Sequence, residues 1–155
     1  KSCAYCKKQF TRPSSAGIGR KYCSNNCAIH VIGSQTTSHK ASRGKSGVRP
    51  DIDPAICFYS RWEANIARIL NYIGIRWEFG TKIFDLKQQT YRPDFYLPDY
   101  KVYIEVKNFL GEYSQKRDDL FRKLYPDETL YLILKPDYEE MTKHYSIKIP
   151  NWEYS

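Results

Sequence analysis

The chain has 155 residues, 41% of them apolar and 15% aromatic, enough for one ordinary domain with a small appendage and a genuine core. No stretch approaches the ~18 consecutive apolar residues of a membrane span, and the N-terminus lacks the apolar region of a signal peptide. A soluble, non-secreted protein without a membrane partner is therefore expected. The net charge of +8 is unevenly spread: residues 1–50 hold ten Lys or Arg and no Asp or Glu, whereas 51–155 hold fifteen basic and seventeen acidic residues. A solvated surface mixes signs. Fifty residues without an acid point to contact with a polyanion, here nucleic acid, the alternative being a basic tail kept for solubility.

Four of the five cysteines, Cys3, Cys6, Cys23 and Cys27, form C-x2-C and C-x3-C pairs separated by sixteen residues. Each pair can present two thiolates to one tetrahedral ion, the pattern of structural Zn²⁺. Two disulfides are the alternative, disfavoured because nothing in the sequence suggests secretion. Residues 1–32 are read as a zinc-binding finger. They resemble small treble-clef or ribbon-like fingers, with a knuckle over Cys3–Phe10 and a short helix opening at Lys21–Cys27. His30 is a candidate alternative ligand, but four cysteines already complete the shell. With so few apolar residues, the module is expected to need its metal to fold.

Residues 33–54 are Gly/Ser-rich, basic and without periodicity. They read as a linker, or as an arm that orders along DNA with Lys40, Arg43, Lys45 and Arg49 at phosphates or in a minor groove.

Residues 55–155 read as the main domain, and Cys57 in it as a small buried residue. Ser60 and Glu63 have capping-box spacing ahead of a helix whose apolar stripe is Trp62, Ile66, Ile69, Leu70 and Ile73, with Gly74 as its stop. Strands are expected at Ile75–Phe79 and Lys82–Leu86, then a polar turn at Lys87–Thr90. A hairpin follows over Tyr91–Asn108, turning at Pro98-Asp99. In its second strand Val102, Ile104 and Val106 alternate with Tyr103, Glu105 and Lys107, so Glu105 and Lys107 share a face. If Asp94 points the same way, two carboxylates and an ammonium converge on a site able to hold a divalent cation and offset phosphate charge. A helix from Ser114 to about Leu124 would leave Lys116, Arg117, Arg122 and Lys123 to solvent or DNA. Thr129–Leu134 reads as a strand covered on both faces, and Pro136 starts a last short helix. Ile147, Ile149 and Trp152 are expected to tuck the tail onto the core.

Pro93-Asp94, ten residues and then Glu105-Val106-Lys107 resemble the signature of the PD-(D/E)XK nuclease superfamily. The ordered set Ser60-x-x-Glu63, Gly74-Ile75, Arg92-Pro-Asp-Phe-x-Leu-Pro and the aliphatic-Glu-x-Lys strand is similar to phage junction-resolving enzymes and their relatives over roughly 59–134. The resemblance implies an α/β fold, a restriction-endonuclease-like mixed β-sheet core flanked by helices, preceded by the zinc-finger module. It makes Asp94 and Glu105 ligands of Mg²⁺ (or Mn²⁺), with the carbonyl of Val106 joining them. Lys107 would position the attacking water, and Glu63 would complete the metal site or merely cap its helix. For Glu105 and Lys107 the alternative is a cross-strand surface pair. Asn108 departs from the small residue, commonly Gly, that often follows the lysine, and this bears only on local turn shape and DNA approach.

The expected function is metal-dependent DNA endonuclease action, site-specific on duplex DNA in the manner of modular homing-type endonucleases. Such an enzyme would work in the cytoplasm of a bacterium or phage-infected host. One constellation cuts one strand, so a double-strand break takes two chains or two visits, and a homodimer is expected. A Holliday-junction resolving endonuclease is the alternative enzyme, and a non-catalytic zinc-dependent DNA-binding protein the alternative of another class.

Overall fold

The computed structural model describes residues 2–11, 21–24, 27 and 45–154. The chain forms two compact units, Lys1–Ser60 and Arg61–Ser155, each taken by itself below.

In the first unit an isolated bridge joins Ser2 to Gln9 around the Cys3–Lys8 turn, in which the Cys3 amide donates to the Lys8 carbonyl at 2.9 Å. Later in the unit, β1 (Gly47–Arg49) pairs antiparallel with β2 (Asp53–Phe58), with an irregularity between Val48 and Arg49. The end of the stretch read as a basic linker is thus a hairpin. Arg49 is buried and donates to the carbonyls of Gly47 (2.8 Å) and Lys45. Cys57 is half-buried rather than buried.

The second unit is mixed α/β. Helix α1 (Arg61–Tyr72) buries every residue from Glu63 to Leu70, polar ones included, while Ile73 of the expected stripe lies past its end and is 45% exposed. Gly74 sits at φ +74°. Its amide reaches the Asn71 carbonyl (3.2 Å), and that of Ile75 reaches Leu70 (2.8 Å), the paired bonds of a Schellman stop that glycine adopts without strain. The polar residues buried in α1 are matched. Asn65 donates to the Tyr138 hydroxyl and the Glu153 carbonyl, both at 2.8 Å, while Arg68 donates to Asn65 Oδ1 and Glu153, both at 2.8 Å. Trp62 stacks on Tyr138 with centroids 4.0 Å apart.

The sheet has four strands in the order β3 (Glu78–Phe79), β6 (Phe95–Leu97), β7 (Val102–Val106) and β8 (Thr129–Ile133). The β3–β6 and β6–β7 pairs are antiparallel, and β7–β8 is parallel. A parallel pair needs a crossover, supplied by α2 (Glu112–Leu124). Strands β4 (Phe84–Asp85) and β5 (Thr90–Tyr91) make a separate ribbon. The β6–β7 turn has Tyr100 N–H donating to the Leu97 carbonyl and Lys101 at φ +53°, as the Pro98-Asp99 pair suggests. The core comprises Leu86, Tyr91, Tyr103, Phe121 and Leu130, with Phe84 packed against it. Phe84 meets Phe121, Tyr125 and Tyr103 edge-on at 4.8, 4.9 and 5.1 Å, favourable quadrupole geometry.

Three expectations are corrected. β8 is an edge strand, so its burial alternates and Tyr131 is 56% exposed. Helix α2 starts after Gly111, not at Ser114. Of the tail residues, Ile149 and Trp152 are buried but Ile147 is 84% exposed. It follows the last helix, α3 (Lys135–Tyr145), a full eleven residues whose first turn holds Pro136 and Asp137. No helix among the described residues is long and apolar enough to cross a membrane.

Candidate functional site

The four N-terminal cysteines come together. Their sulfurs all lie within 4.8 Å of one another, with Cys6–Cys23 and Cys23–Cys27 at 3.5 Å, and all are free thiols. A disulfide needs sulfurs ~2.05 Å apart, whereas four thiolates around tetrahedral Zn²⁺ at ~2.3 Å stand about 3.8 Å apart. The cluster therefore has the geometry of a metal site such as one for zinc. Local backbone shapes it: Lys7 at φ +63° closes the first knuckle, and Ser24 Oγ accepts the Cys27 amide at 3.2 Å. Burial opposes ionisation of Cys3, but backbone amides of Cys23, Cys6 and Tyr5 aimed at its sulfur bring the thiol down to about 6. Cys23, hydrogen-bonded to the sulfurs of Cys6 and Cys27, is pushed up to about 12. A bound cation inverts that crowding by favouring every thiolate. His30, Lys40 and Arg43 lie outside the described residues.

The second cluster lies at the open end of the β6–β7 hairpin. Phe95 pairs with Ile104, so the next register position sets Asp94 opposite Glu105. Asp94 is clamped from two sides. Its carbonyl accepts the Gly80 amide at 2.8 Å, and its Oδ2 accepts the Val106 amide at 2.7 Å. Burial above all, then the negative charges of Glu105 and Glu63, push its carboxyl well above the usual range, against the pull of the Val106 amide and Lys107. Asp94 thus feels all three other residues singled out by sequence. Glu63 is 8% exposed in the first turn of α1. Lys107 is anchored by its amide on the Ile133 carbonyl at 2.9 Å, with Nζ 3.1 Å from Glu105 Oε1.

Glu105 is buried, not a surface partner of Lys107. The Tyr103–Glu105–Lys107 face of β7 is covered because Tyr103 belongs to the core that includes Phe121 of α2. Arg117, expected to face DNA, points inward for the same reason. Its side chain is largely buried, with one Nη 3.2 Å from Glu105 Oε1 and 2.8 Å from Asp118 Oδ1. Its guanidinium also lies 4.1 Å from the Tyr91 ring centroid. Burial works against its charge, but the hydrogen bonds to Asp118 and the field of Glu105 outweigh this and raise its pKa. Tyr91 donates to Glu105 Oε2 at 3.1 Å. Burial, then Glu105 and Asp118, hold the phenol in its protonated form. Lys116, by contrast, is 76% exposed and pairs with Glu112 one turn away.

Sequence reasoning missed Tyr91 and Asp118. The available signal was spacing: Asp118 lies one turn before Arg122 on the face of α2 that buries Phe121, and a carboxylate there needs a cation beside it.

Comparisons with protein-family models, curated proteins and solved structures returned no match. Whether the cluster suits a divalent cation thus rests on its donors. Glu63, Asp94 and Glu105 offer only carboxylate oxygens, the set Mg²⁺ and Mn²⁺ prefer, and the repulsion at Asp94 is what a cation relieves. They are spread more widely than the thiols. Among the described residues, the cysteines alone bring three or more candidate ligand atoms within 4.8 Å of one another.

Proposed function

We infer that this chain is a metal-dependent DNA endonuclease of the PD-(D/E)XK type, cutting duplex DNA at chosen sites. The observation that carries the reading is the hairpin register that sets Asp94, its Oδ2 held 2.7 Å from the Val106 amide, opposite the buried Glu105, whose Oε1 lies 3.1 Å from Lys107 Nζ. Asp94 and Glu105 are the carboxylates that would hold Mg²⁺ or Mn²⁺, with Glu63 and the Val106 carbonyl as further oxygens. The ion would supply charge stabilisation to the phosphate. Lys107 positions the attacking water and offsets negative charge as the new O–P bond forms and the ester P–O bond breaks. The Tyr91 hydroxyl and Arg117 fix the orientation of Glu105.

The cysteine module and the basic first fifty residues are assigned target choice. A linked second binding site raises affinity through effective concentration. Cutting both strands takes two chains or two visits by one, and a homodimer is the arrangement proposed. The test is supercoiled plasmid with Mg²⁺ or Mn²⁺, alongside a four-way junction. Wild type cuts duplex, while Asp94→Asn and Glu105→Gln bind without cutting. Cutting confined to the junction moves the assignment to a resolving enzyme. Binding with no cutting of either substrate leaves a non-catalytic DNA-binding module.

A further inference from the structure

Glu105 Oε1 is shared by two cations, Lys107 Nζ at 3.1 Å and an Arg117 Nη at 3.2 Å, while Tyr91 holds Oε2 at 3.1 Å. Both oxygens offered to a metal are therefore occupied by donors. Lys107 is expected there on the PD-(D/E)XK reading. Arg117 comes from a different element, α2, and nothing in that reading requires it.

Arg117 is held in place by more than Glu105. Asp118 Oδ1 takes both its Nε (3.1 Å) and an Nη (2.8 Å), and the Tyr91 ring covers its face. Asp118 is 1% exposed, and its other oxygen, Oδ2, has no hydrogen-bond partner among the described residues. A buried carboxylate satisfied on one oxygen only is costly and is tolerated here because it fixes the guanidinium. The order runs Asp118, then Arg117, then Glu105: a buried anion pins a cation on the one carboxylate placed opposite Asp94.

We propose that Arg117, locked by Asp118, is a resident counter-cation of Glu105 that competes with a divalent ion for Oε1 and so sets how weakly the site binds metal. The inference rests on the nuclease reading, since it takes Glu105 as a ligand. Arg117 is a positioning residue with two consequences. It keeps Glu105 oriented, and it makes cation binding conditional on displacing a guanidinium. Removing one competing positive charge beside a divalent ion is worth about tenfold in affinity even with water-like screening.

The experiment is Mn²⁺ binding to the zinc-loaded full chain, followed by the loss of free-Mn²⁺ electron paramagnetic resonance signal, without DNA. Arg117→Gln alone strands Asp118 as an unpaired buried charge, so the main variant is Arg117→Gln/Asp118→Asn, which removes both charges and keeps the shapes. Arg117→Lys, which retains the charge, is the second. The proposal expects the double variant to bind Mn²⁺ several-fold more tightly than wild type, short of the roughly tenfold for the guanidinium alone because the Asp118 anion is removed with it, and Arg117→Lys to give no such gain. A purely structural role leaves affinity unchanged or weaker. Such a result, with wild-type binding that Asp94→Asn abolishes, overturns this proposal and spares the metal site. Mn²⁺ binding absent from wild type and variants alike overturns the metal site and this proposal together. If the double variant is unfolded by circular dichroism, Arg117→Met/Asp118→Leu, which removes the same two charges with apolar side chains, takes its place, and unchanged affinity there is equally fatal.

Discussion

The carboxylate of Asp94 accepts the backbone N–H of Val106 at 2.7 Å, so the residue before β6 is tied to the last residue of β7 by its side chain. The bond fixes Asp94 beside Glu105, where burial and like charge penalise ionisation. An asparagine oxygen can accept the same N–H, so the amide keeps the tie and drops the charge.

Asp94→Asn is therefore expected to stabilise the protein at neutral pH. The sign follows from linkage. A carboxyl whose folded-state pKa is raised binds its proton more tightly when folded, so its stabilising effect is present at low pH and fades as pH rises through the raised value. Urea denaturation without added divalent cation should show wild type losing stability relative to Asp94→Asn as pH climbs above the ordinary carboxyl range. Parallel pH profiles for the two proteins would show that Asp94 is not crowded.

Asn65 offers a test of the packing between α1 and the chain's end. It is fully buried and joins Tyr138, Arg68 and two backbone groups of Glu153. Asn65→Leu strands several of these partners at once and should cost about 2–4 kcal/mol. Tyr138→Phe removes one hydrogen bond and keeps the Trp62 stack, so about 1 kcal/mol is expected. Equal losses in urea denaturation would mean that the network is not the main contribution of Asn65.

These two cases mark what could be read from the chain. The α1 stop at Gly74, the Pro98-Asp99 turn and the β7 strand follow local rules that need no tertiary knowledge, and each appears in the structure, although Tyr103, Ile104 and Glu105 are all buried, so burial along β7 does not alternate. The grouping of Asp94 and Glu105 was legible through the hairpin, because register makes them neighbours. Arg117 was not. On α2 its spacing looks like that of Lys116, and only the packing of Phe121 on Tyr103 decides which cation turns inward. The Asn65 network was equally hidden, since its partners other than Arg68 lie more than seventy residues away. Strand Thr129–Ile133 misled because an apolar run does not say whether a strand is central or at an edge.

The cysteine cluster predicts one tightly held zinc per chain. Cobalt substitution should give the visible absorption of a tetrahedral thiolate site, and Cys23→Ser should lose it, because the ion then has three sulfurs in place of four. Chelation should release the metal and unfold the knuckle around Cys3–Lys8, read as rapid amide exchange there, since that turn has little apolar burial of its own. Retained exchange protection after complete metal removal would show that the knuckle stands without an ion.

Lys116 and Arg49 separate a phosphate contact from a structural cation. Both were expected to touch DNA, yet Lys116 is exposed and its pairing with Glu112 is a weak surface bridge, whereas Arg49 is buried and donates to the carbonyls of Gly47 and Lys45. If the second unit lays α2 along DNA, Lys116→Ala should reduce the slope of log affinity against log salt by about 0.9, the loss of one phosphate contact. Arg49→Ala should leave that slope unchanged and instead lower stability by about 1–3 kcal/mol, because two carbonyls lose a charged donor. Fluorescence anisotropy on duplex DNA across a salt series, with urea denaturation of the same proteins, reads both effects. A slope change for Arg49→Ala as large as that for Lys116→Ala would mean that Arg49 leaves the hairpin to bind phosphate, contrary to its buried position between β1 and the Lys45 turn.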